Sequence, residues 1–497
     1  MTNHLIDALR HPSAGRVEDV LITAPGKTSV SFATFWRDVE RLAQRLQSLG
    51  VLPGDRVAVQ VPKSVTALQL YLATVSVGGV FLPLNTAYTP PEVAYFLSDA
   101  TPRIFVSAEI GASGPVAVKA GCAHHLTLDA EGEGSLVDDL PNGVFHPVPR
   151  AAEDLAAILY TSGTTGRSKG AMLSHGALLS NSQALAGIWR FSKQDTLIHA
   201  LPIFHTHGLF VASNVALLSG ASMHFLPSFE ADAILDAMPG ATTLMGVPTF
   251  YTRLLADSRL TPELAANMRL FISGSAPLLA ETHRTWEART GHGILERYGM
   301  TETNMNTSNP YDGERRAGTV GFPLPGVELR IMEDDAEVSP GEIGVIEVRG
   351  ANVFSGYWQM PEKTAEDLRP DGWFITGDLG TVDADGYVTI VGRSKDLVIS
   401  GGFNVYPKEV EEVIDALPTV LESAVIGVPH PDFGEAVVAV VVPNGVLTEA
   451  DVHDALNGHL AKFKQPKAVI LADALPRNTM GKVQKAALRA DHAGLFA

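Results

Sequence analysis

Tyr160-Thr-Ser-Gly-Thr-Thr-Gly-Arg-Ser-Lys-Gly170 is a segment rich in glycine and hydroxyl side chains, and it continues an apolar run that begins at Leu155. Glycines allow a backbone to approach a ligand closely. Backbone amides, hydroxyls and the Lys169 ammonium would then face an anion, so the segment predicts a loop that holds a triphosphate. The apolar run is long enough for a buried strand but not for a helix, which places the predicted loop at the end of a sheet.

The glycine spacing of this segment excludes a Walker A loop. That motif needs four residues between its first glycine and a Gly-Lys-Ser/Thr ending. In this chain two residues separate Gly163 from Gly166, and Gly170 follows Lys169. Taken alone, the composition is also compatible with a Ser/Thr/Gly-rich surface turn, so the remaining motifs of the chain are needed to choose between the two.

Four more motifs follow in a fixed order: Arg297-Tyr-Gly-Met-Thr-Glu302, Thr376-Gly-Asp378, Gly392-Arg-Ser-Lys-Asp396 and Pro476-Arg-Asn-Thr-Met-Gly-Lys482. Together with the glycine-rich segment they resemble the adenylate-forming superfamily of acyl-CoA synthetases, peptide-synthetase adenylation domains and luciferases. The resemblance covers nearly the whole chain. Within it, two segments resemble the malonyl-CoA synthetase branch: Ala200-Leu-Pro-Ile-Phe-His-Thr-His-Gly208 and Tyr298-Gly-Met-Thr-Glu-Thr-Asn-Met-Asn-Thr-Ser-Asn-Pro310.

The resemblance implies an ATP- and Mg²⁺-dependent enzyme that joins an acid, here malonate, to CoA. A carboxylate is a poor electrophile, so such enzymes first convert it into a mixed anhydride with AMP and release pyrophosphate. A thiol then displaces AMP. The alternatives are another short acid such as methylmalonate or acetate, a carrier-protein-loading domain, a luciferase-like oxygenase, and an inactive nucleotide-binding sensor. The presence of Lys482, Glu302 and Asp378 argues against the inactive sensor.

The resemblance assigns ATP and AMP binding to residues in five segments. Tyr298 would place its ring on the adenine, as aromatic side chains do with bases, and Asp378 would accept hydrogen bonds from the ribose hydroxyls. Without the motifs, each would be an unremarkable core or turn residue. The full set is Thr161, Ser162, Gly163, Thr164, Thr165, Gly166, Lys169, Gly274, Ser275, Ala276, Pro277, Glu296, Arg297, Tyr298, Gly299, Met300, Thr301, Asp378 and Arg393.

Lys482, Glu302 and Thr301 are the predicted catalytic residues. Lys482 would bridge the acid and the α-phosphate, because a lysine is a compact charge on a flexible stem. Glu302 and the hydroxyl of Thr161 are the predicted Mg²⁺ ligands, since Mg²⁺ commonly takes one or two protein oxygens together with phosphate oxygens. Outside the motifs, a surface lysine and a capping glutamate would be the simpler interpretations.

The predicted acid-binding residues are His207, His205, Arg284 and Met300. An unpaired buried charge is costly, so a dicarboxylate pocket needs a partner for the second carboxylate. On an extended stretch His205 and His207 would point to opposite sides. The resemblance gives His205 an aromatic-gate position, so His207 is the better carboxylate partner. Arg284 offers a bidentate guanidinium on a helix, although a surface arginine is equally compatible with its position.

A second set of residues is predicted to serve CoA binding and domain rotation. Lys395 matches the hinge position of the superfamily, and Ser400, Gly401 and Gly402 form a turn that could line a pantetheine channel. Lys462 and Lys464 lie in a basic cluster that could meet CoA phosphates, or could simply form a solvated charged face. Rotation about a few hinge residues would bring this surface to the site in place of Lys482.

Apolar runs of strand length alternate with helix-like segments, which predicts an α/β fold with helix-flanked parallel sheets. The N-terminal domain is predicted to span 1–393 and to include a small antiparallel β sub-domain at about 323–393. Residues 394–497 are predicted to form a mobile α+β domain. The predicted strands and helices are Val57–Val61, Ala156–Tyr160, Leu197–Leu201, Met223–Leu226, Leu270–Ser273, Ala424–Val428, Ala436–Val442, Phe32–Leu49, Gly176–Trp189, Lys408–Ala416 and Glu449–Leu460.

Bulk composition limits the partners and the compartment. A chain of 497 residues is too long for one core. Its net charge of −18 argues against nucleic acid or an anionic membrane surface as partners. Cys122 is the single cysteine, which fits a reducing compartment, and the N-terminus lacks the features of a signal peptide. We therefore expect a cytoplasmic protein without membrane insertion, either monomer or homodimer.

Overall fold

The structure is a computed structural model that describes residues 2–111, 113–161, 168–400, 403–457, 459–478 and 481–496. Some of the predicted ligand-binding residues lie outside this described part of the chain. They are Ser162, Gly163, Thr164, Thr165 and Gly166 of the glycine-rich segment, and Gly401 and Gly402 of the predicted CoA-binding turn.

The described residues form fourteen α-helices: α1 (His4–Arg10), α2 (Phe32–Ser48), α3 (Val65–Ser76), α4 (Pro90–Ala100), α5 (Ser113–Lys119), α6 (His175–Ile188), α7 (Asn214–Ser219), α8 (Ala231–Ala237), α9 (Pro248–Leu255), α10 (Ala280–Thr290), α11 (Pro361–Asp367), α12 (Pro407–Asp415), α13 (Glu449–Leu456) and α14 (Lys485–Asp491). None of the helices in the described residues has the length and apolar character needed to cross a membrane.

The strands of the described residues are β1 (Val20–Thr23), β2 (Val30–Ser31), β3 (Arg56–Gln60), β4 (Val80–Pro83), β5 (Ile104–Ser107), β6 (His124–Thr127), β7 (Leu155–Thr161), β8 (Lys169–Ser174), β9 (Thr196–His199), β10 (Ser222–Phe225), β11 (Thr243–Gly246), β12 (Leu270–Ser273), β13 (Ile294–Met300), β14 (Asn304–Ser308), β15 (Phe322–Pro323), β16 (Val327–Glu333), β17 (Ala336–Glu337), β18 (Gly344–Gly350), β19 (Phe374–Val382), β20 (Val388–Arg393), β21 (Val398–Ser400), β22 (Phe403–Val405), β23 (Val420–His430), β24 (Gly434–Pro443) and β25 (Ala468–Leu471).

Two large sheets carry the N-terminal part of the chain. One has the strand order β6-β5-β3-β4-β7-β8, and the other β15-β14-β13-β12-β11-β9-β10-β1-β2. The central strands of both are parallel. In parallel α/β sheets, ligands bind beyond the carboxyl ends of the strands. The carboxyl ends of β9, β12 and β13 supply the segments that carry His207, Ser275 and Tyr298.

The predicted α/β fold class is confirmed, and the predicted elements lie within a few residues of the observed ones. Helix α2 illustrates why. Ser31 caps its first turn by accepting a hydrogen bond from the Thr34 amide at 3.2 Å, as N-cap serines commonly do. Its apolar side chains recur on one face and are buried against the core, which is the pattern of an amphipathic helix.

The last third of the chain forms two smaller sheets. One is antiparallel, with the order β17-β16-β18-β19-β20, and corresponds to the predicted β sub-domain. The other has the order β22-β21-β24-β23, with β25 parallel to β24. The two faces of this last sheet bury apolar clusters of their own, separate from the main core. The division at residues 393 and 394 remains a prediction.

Candidate active site

Asp378 stands at the centre of the predicted ribose site. It lies on β19 and faces Arg393 on the neighbouring strand β20, where the two residues are register partners. Its Oδ1 lies 2.9 Å from the Arg393 Nε, and its Oδ2 accepts a hydrogen bond from the Tyr298 hydroxyl at 2.5 Å. The carboxylate is therefore fixed and buried before any ligand is present. Three predicted nucleotide-binding residues, each from a different motif, meet at this point.

Glu302 forms a second cluster at the end of β13. The side chain is buried, and Tyr357 donates a hydrogen bond to its Oε1 at 3.2 Å. Burial raises the pKa of Glu302, while the nearby Lys169 charge opposes that shift. Lys169 lies with its ammonium 4.2 Å from the centre of the Tyr357 ring and pairs with Asp367 at 3.6 Å. The predicted phosphate lysine and the predicted metal ligand therefore lie together.

A Mg²⁺ ion fits this cluster only with help from a phosphate. In the described residues no group of at least three His, Cys, Asp or Glu side chains could hold a metal. Glu302 is a buried carboxylate, and the Thr161 hydroxyl at the end of β7 lies 3.4 Å from the carbonyl oxygen of Lys169. Two protein oxygens of this kind are a partial ligand set that Mg²⁺ takes when substrate oxygens complete its shell. Glu302 and Thr161 would supply the protein oxygens.

Lys482 comes from the C-terminal part of the chain and reaches the same cleft. Burial within the cleft and the Arg393 charge lower its pKa, whereas Asp378 and Glu302 raise it. The residue keeps an exposed side, which is consistent with a position at the mouth of the cleft. Its amide donates to the Asn478 side chain at 3.0 Å, and the preceding Gly481 faces Thr249 on α9. Lys482 therefore lies among the ribose and metal residues.

The stretch of His205 and His207 differs from the prediction. It is not extended, because a π-helical turn runs from His207 to Ser213 and continues directly into α7. The His207 amide donates a hydrogen bond to the Nδ1 of the His205 ring at 3.4 Å. The Nδ1 of His207 lies 3.2 Å from the Ser275 hydroxyl, and its Nε2 is buried without a partner among the described residues.

Arg297 is the most unusual charge of the site. Its side chain is buried, and its Nε and Nη2 lack hydrogen-bond partners within the described residues. Burial lowers its pKa to about 9, so it remains a cation at neutral pH. Its charge helps burial to lower the pKa of His207 and of His205, the latter to about 3. Both imidazoles are therefore neutral and lie beside an unpaired guanidinium.

Glu296 forms no ion pair with that guanidinium among the described residues, although its charge acts against the burial that lowers the pKa of Arg297. It precedes Arg297 on β13, so the two side chains point to opposite faces of the strand. Burial raises the pKa of Glu296 to about 7. Its Oε1 accepts a long hydrogen bond of 3.4 Å from the Leu278 amide, while its Oε2 has no partner in the described part of the chain.

Ser275 has a backbone φ of 74°, a left-handed conformation that is uncommon for residues other than glycine. Such strain is concentrated at functional sites. It places the Ser275 hydroxyl against His207, on the side where Arg297 also lies. The predicted adenine loop Gly274-Ser-Ala-Pro277 thus also borders the acid side of the cleft.

Other predicted residues lie apart from the cleft or are committed to other contacts. Arg284 is exposed on α10, where its charge acts on His283, so its position gives no support to a role in acid binding. Lys464 pairs with Glu409 at 2.5 Å, and Lys462 is exposed. Lys395 lies in a short 3₁₀ turn, Ser394–Asp396, and Ser400 is buried on β21. Of these last four residues, Lys395 lies near the nucleotide cluster, since burial and the Arg393 charge lower its pKa and the Asp378 charge opposes them.

Sequence reasoning misses one contributor. Tyr357 contacts both Glu302 and Lys169, yet it lies outside every quoted motif. Arg297, which the sequence assigns to the nucleotide, also lies beside both histidines. The signal for Arg297 was available, because a cation interrupts the apolar strand Ile294-Leu-Glu-Arg just before the tyrosine motif.

Comparison with known proteins identifies the family of the chain. The chain matches the AMP-binding enzyme family over residues 9–358 and the AMP-binding enzyme C-terminal domain over residues 409–482. A malonate–CoA ligase of Arabidopsis thaliana is 34% identical over 484 residues, covering 90% of this chain and 79% of that protein. A feruloyl-CoA synthase of an Amycolatopsis species is 37% identical over 471 residues, covering 93% and 94% of the two proteins.

Solved structures give a closer match. Crystalline ATP-bound MatB from Rhodopseudomonas palustris is 57% identical, covers 100% of both chains and superimposes with a TM-score of 0.96. The apo form from the same organism, with the same identity and coverage, gives a TM-score of 0.85. The arrangement seen here is therefore more similar to the ATP-bound form than to the apo form.

Proposed function

The chain belongs to the AMP-binding enzyme family, and we propose that it converts malonate, ATP and CoA into malonyl-CoA, AMP and pyrophosphate through malonyl-AMP. The family relation and the ATP-bound relative support the use of ATP and CoA. Relatives at similar identity act on acids as different as malonate and ferulate. The choice of acid therefore has to be argued from the side chains of this chain.

The unpaired guanidinium of Arg297 is the observation that favours malonate as the acid. A buried charge without a partner is costly, and the protein supplies no carboxylate to Arg297 within the described residues. The distal carboxylate of malonate would provide the missing partner, with bidentate geometry that suits a guanidinium. The Ser275 hydroxyl and the neutral His207 beside it can add hydrogen bonds. An acid with one carboxylate would leave Arg297 unpaired.

The remaining residues serve the first half-reaction. Attack of the reacting carboxylate on the α-phosphorus brings two anions together, and fixed cations must offset their repulsion. Lys482 would be the cation for this step, since the charges of Asp378 and Glu302 both act on its ammonium. Asp378, held by Tyr298 and Arg393, would fix the ribose, and Lys169 would face the outgoing pyrophosphate. Mg²⁺ held by Glu302 and Thr161 would neutralise phosphate charge.

The second half-reaction needs a different surface. We infer that residues 394–497 turn about Lys395 as a unit, so that the segment around Ser400 replaces Lys482 and lines the path of the thiol. The resemblance to ATP-bound MatB, rather than to the apo form, supports the adenylation arrangement as the one seen here. Lys462 is exposed and free to meet a CoA phosphate, whereas Lys464 would first have to leave Glu409.

A panel of short acids tests the proposal. Thioester formation and pyrophosphate release are measured with malonate, methylmalonate, acetate and propionate, for the wild type and for R297M. Removing one partner of a buried charge pair costs roughly 30- to several-thousand-fold, so kcat/KM for malonate should fall by that factor while propionate loses little. R284M, which removes an exposed arginine, is the matched control and should behave like the wild type.

Three results would count against the proposal. If the wild type prefers acetate or methylmalonate, malonate is the wrong acid, although the reaction is still the joining of an acid to CoA. Equal losses of malonate and propionate in R297M would move Arg297 to a step common to all acids. Absence of pyrophosphate release with every acid would favour a nucleotide-binding sensor. The proposal includes a reducing compartment such as the cytoplasm, because Cys122 is the single cysteine and can form no intrachain disulfide.

A further inference from the structure

Lys63 is a cation that no step of the proposed reaction uses. It follows β3 in the six-stranded sheet and is half-buried. Its Nζ donates to the Nδ1 of His199 at 2.9 Å and to the His199 carbonyl at 2.7 Å, and it lies 4.2 Å from the centre of the Phe225 ring. The ammonium thus contacts an imidazole, a carbonyl and a ring rather than a carboxylate. Burial lowers its pKa well below the usual value.

These contacts fix the tautomer of His199, the last residue of β9. Because Nδ1 accepts a hydrogen bond from Lys63, Nε2 must carry the hydrogen of the neutral ring. The Nε2 nitrogen lies 2.9 Å from the Gly208 carbonyl oxygen, which can only accept. Burial and the Lys63 charge both lower the pKa of His199, which keeps the ring neutral. A neutral ring with this tautomer is the form that joins Lys63 to Gly208.

Gly208 belongs to the π-helical turn that starts at His207. Its carbonyl also accepts the Ser213 hydroxyl at 2.9 Å, and Ser213 lies 3.1 Å from the same His199 nitrogen. π-helical turns are rare and occur often at functional sites. A side chain added at Gly208 would collide with the Pro202 carbonyl, so the turn also packs tightly against the loop before it.

We propose that Lys63, acting through His199, is a positioning residue that holds the π-helical turn 207–213 in the register that sets His207 against Ser275 at the acid-binding side of the cleft. The connection crosses from the six-stranded sheet to the nine-stranded sheet and closes the ten-residue loop from His199 to Gly208 at its two ends. It rests on the proposed function only in the identity of the acid.

Three variants separate the hydrogen bonds of Lys63 from its charge. K63M removes both donors at nearly constant length, and K63Q keeps an amide N–H that can still donate to His199. In K63M, kcat/KM for malonate should fall about tenfold, a factor typical of one lost buried hydrogen bond, with KM for ATP unchanged. K63Q should recover part of the loss. K193M, at an exposed lysine, is the control and should match the wild type.

A double-mutant cycle tests whether the residues act as a unit. Groups in one hydrogen-bond network give non-additive losses, so K63M/H199N should lose about as much as K63M alone. The acid preference of the wild type is measured first and judges the proposed function independently. The role of Lys63 and His199 is judged from kcat/KM of each variant divided by kcat/KM of the wild type, measured with the acid that the wild type prefers.

Four results would overturn the inference. Additive losses in the double mutant would separate Lys63 from His199. A rise in KM for ATP equal to that for the acid would indicate general damage to the fold, as would equal loss in K63M and K63Q accompanied by a lower melting temperature. Unchanged malonate kinetics in both variants would remove Lys63 from the acid-binding side altogether.

Discussion

The guanidinium of Arg297 packs directly against Gly274, so that a Cβ atom at position 274 would meet the guanidinium carbon and nitrogens. Because Gly274, at the end of β12, has no side chain, it leaves the room that the buried Arg297 guanidinium needs in order to face the acid. The two residues come from different strands and different motifs. Their contact joins the predicted adenine loop to the acid pocket proposed around Arg297.

Gly274→Ala should therefore act on the acid rather than on the nucleotide. A methyl group at this position must push the guanidinium away, and interiors as dense as a crystal leave little room for it. KM for malonate should rise about tenfold or more, while KM for propionate changes little. The control is Gly291→Ala at the end of α10, where no atom lies close to the added carbon, although the left-handed backbone there makes the variant slightly less stable. Equal effects on both acids in Gly274→Ala would contradict the contact.

Tyr298→Phe should weaken ATP binding. The tyrosine hydroxyl is one of two groups that hold the Asp378 carboxylate, and hydrogen bonds to charged groups are worth about 1.5–3 kcal/mol. KM for ATP should rise by roughly tenfold or more, with KM for malonate nearly unchanged. Y387F provides the comparison, because the Tyr387 hydroxyl donates to the Glu314 carbonyl in the β sub-domain. A larger effect on malonate than on ATP would place Tyr298 in the acid pocket.

Lys482→Ala should separate the half-reactions. Removal of one fixed electrostatic donor typically lowers a rate by about 10²–10³. Pyrophosphate exchange should fall by that factor, while thioester formation from preformed malonyl-AMP should remain close to the wild-type rate. Rapid mixing with isolated acyl-AMP measures the second step alone. Similar slowing of both steps would show that Lys482 does not act on adenylation specifically.

Lys395→Pro should give the opposite pattern. Proline fixes φ near −65°, and the variant should block the turn of residues 394–497 about the Ser394–Asp396 segment. Pyrophosphate exchange should survive while thioester output collapses. Loss of both activities, together with a lower melting temperature, would indicate a folding defect or a hinge elsewhere.

The sequence predicts this site well where chemistry is carried by motifs and poorly where it is carried by packing. Tyr298, Asp378 and Arg393 could be placed together because their motifs have a known order. The acid pocket could not. Arg284 and Arg297 look alike in the sequence. Only the structure shows that Arg284 is exposed and that Arg297 is buried.

Sequence periodicity also does not predict the backbone conformation around the π-helical turn 207–213. Alternation predicts an extended stretch at His205 and His207, but the π-helical turn depends on Gly208 packing against Pro202 and on the shared Gly208 carbonyl. Lys63 gave no signal at all, since it is separated from His199 by 136 positions in the chain. Contacts of this kind require the tertiary fold, whereas strands and helices follow from local patterns of apolar residues.

The last prediction concerns stability at acidic pH. His175 begins α6, is fully buried, and neither of its ring nitrogens has a partner in the described residues. Burial, helped by the Arg150 charge, lowers its pKa to about 4, while the unfolded chain has a histidine pKa near 6.5. Between these values the unfolded state binds a proton that the folded state refuses. Stability should therefore fall as pH drops from about 6.5 to 4, by up to about 1.4 kcal/mol per pH unit. His175→Leu should remove this contribution, and it should be tolerated because no hydrogen bond is lost.

The measurement is the free energy of unfolding in urea at several pH values for wild type, H175L and H459Q, the last removing an exposed imidazole. Since all other titrating groups are shared, the difference in slope isolates His175. A wild-type slope in H175L would mean that His175 takes up its proton in the folded state as readily as in the unfolded chain.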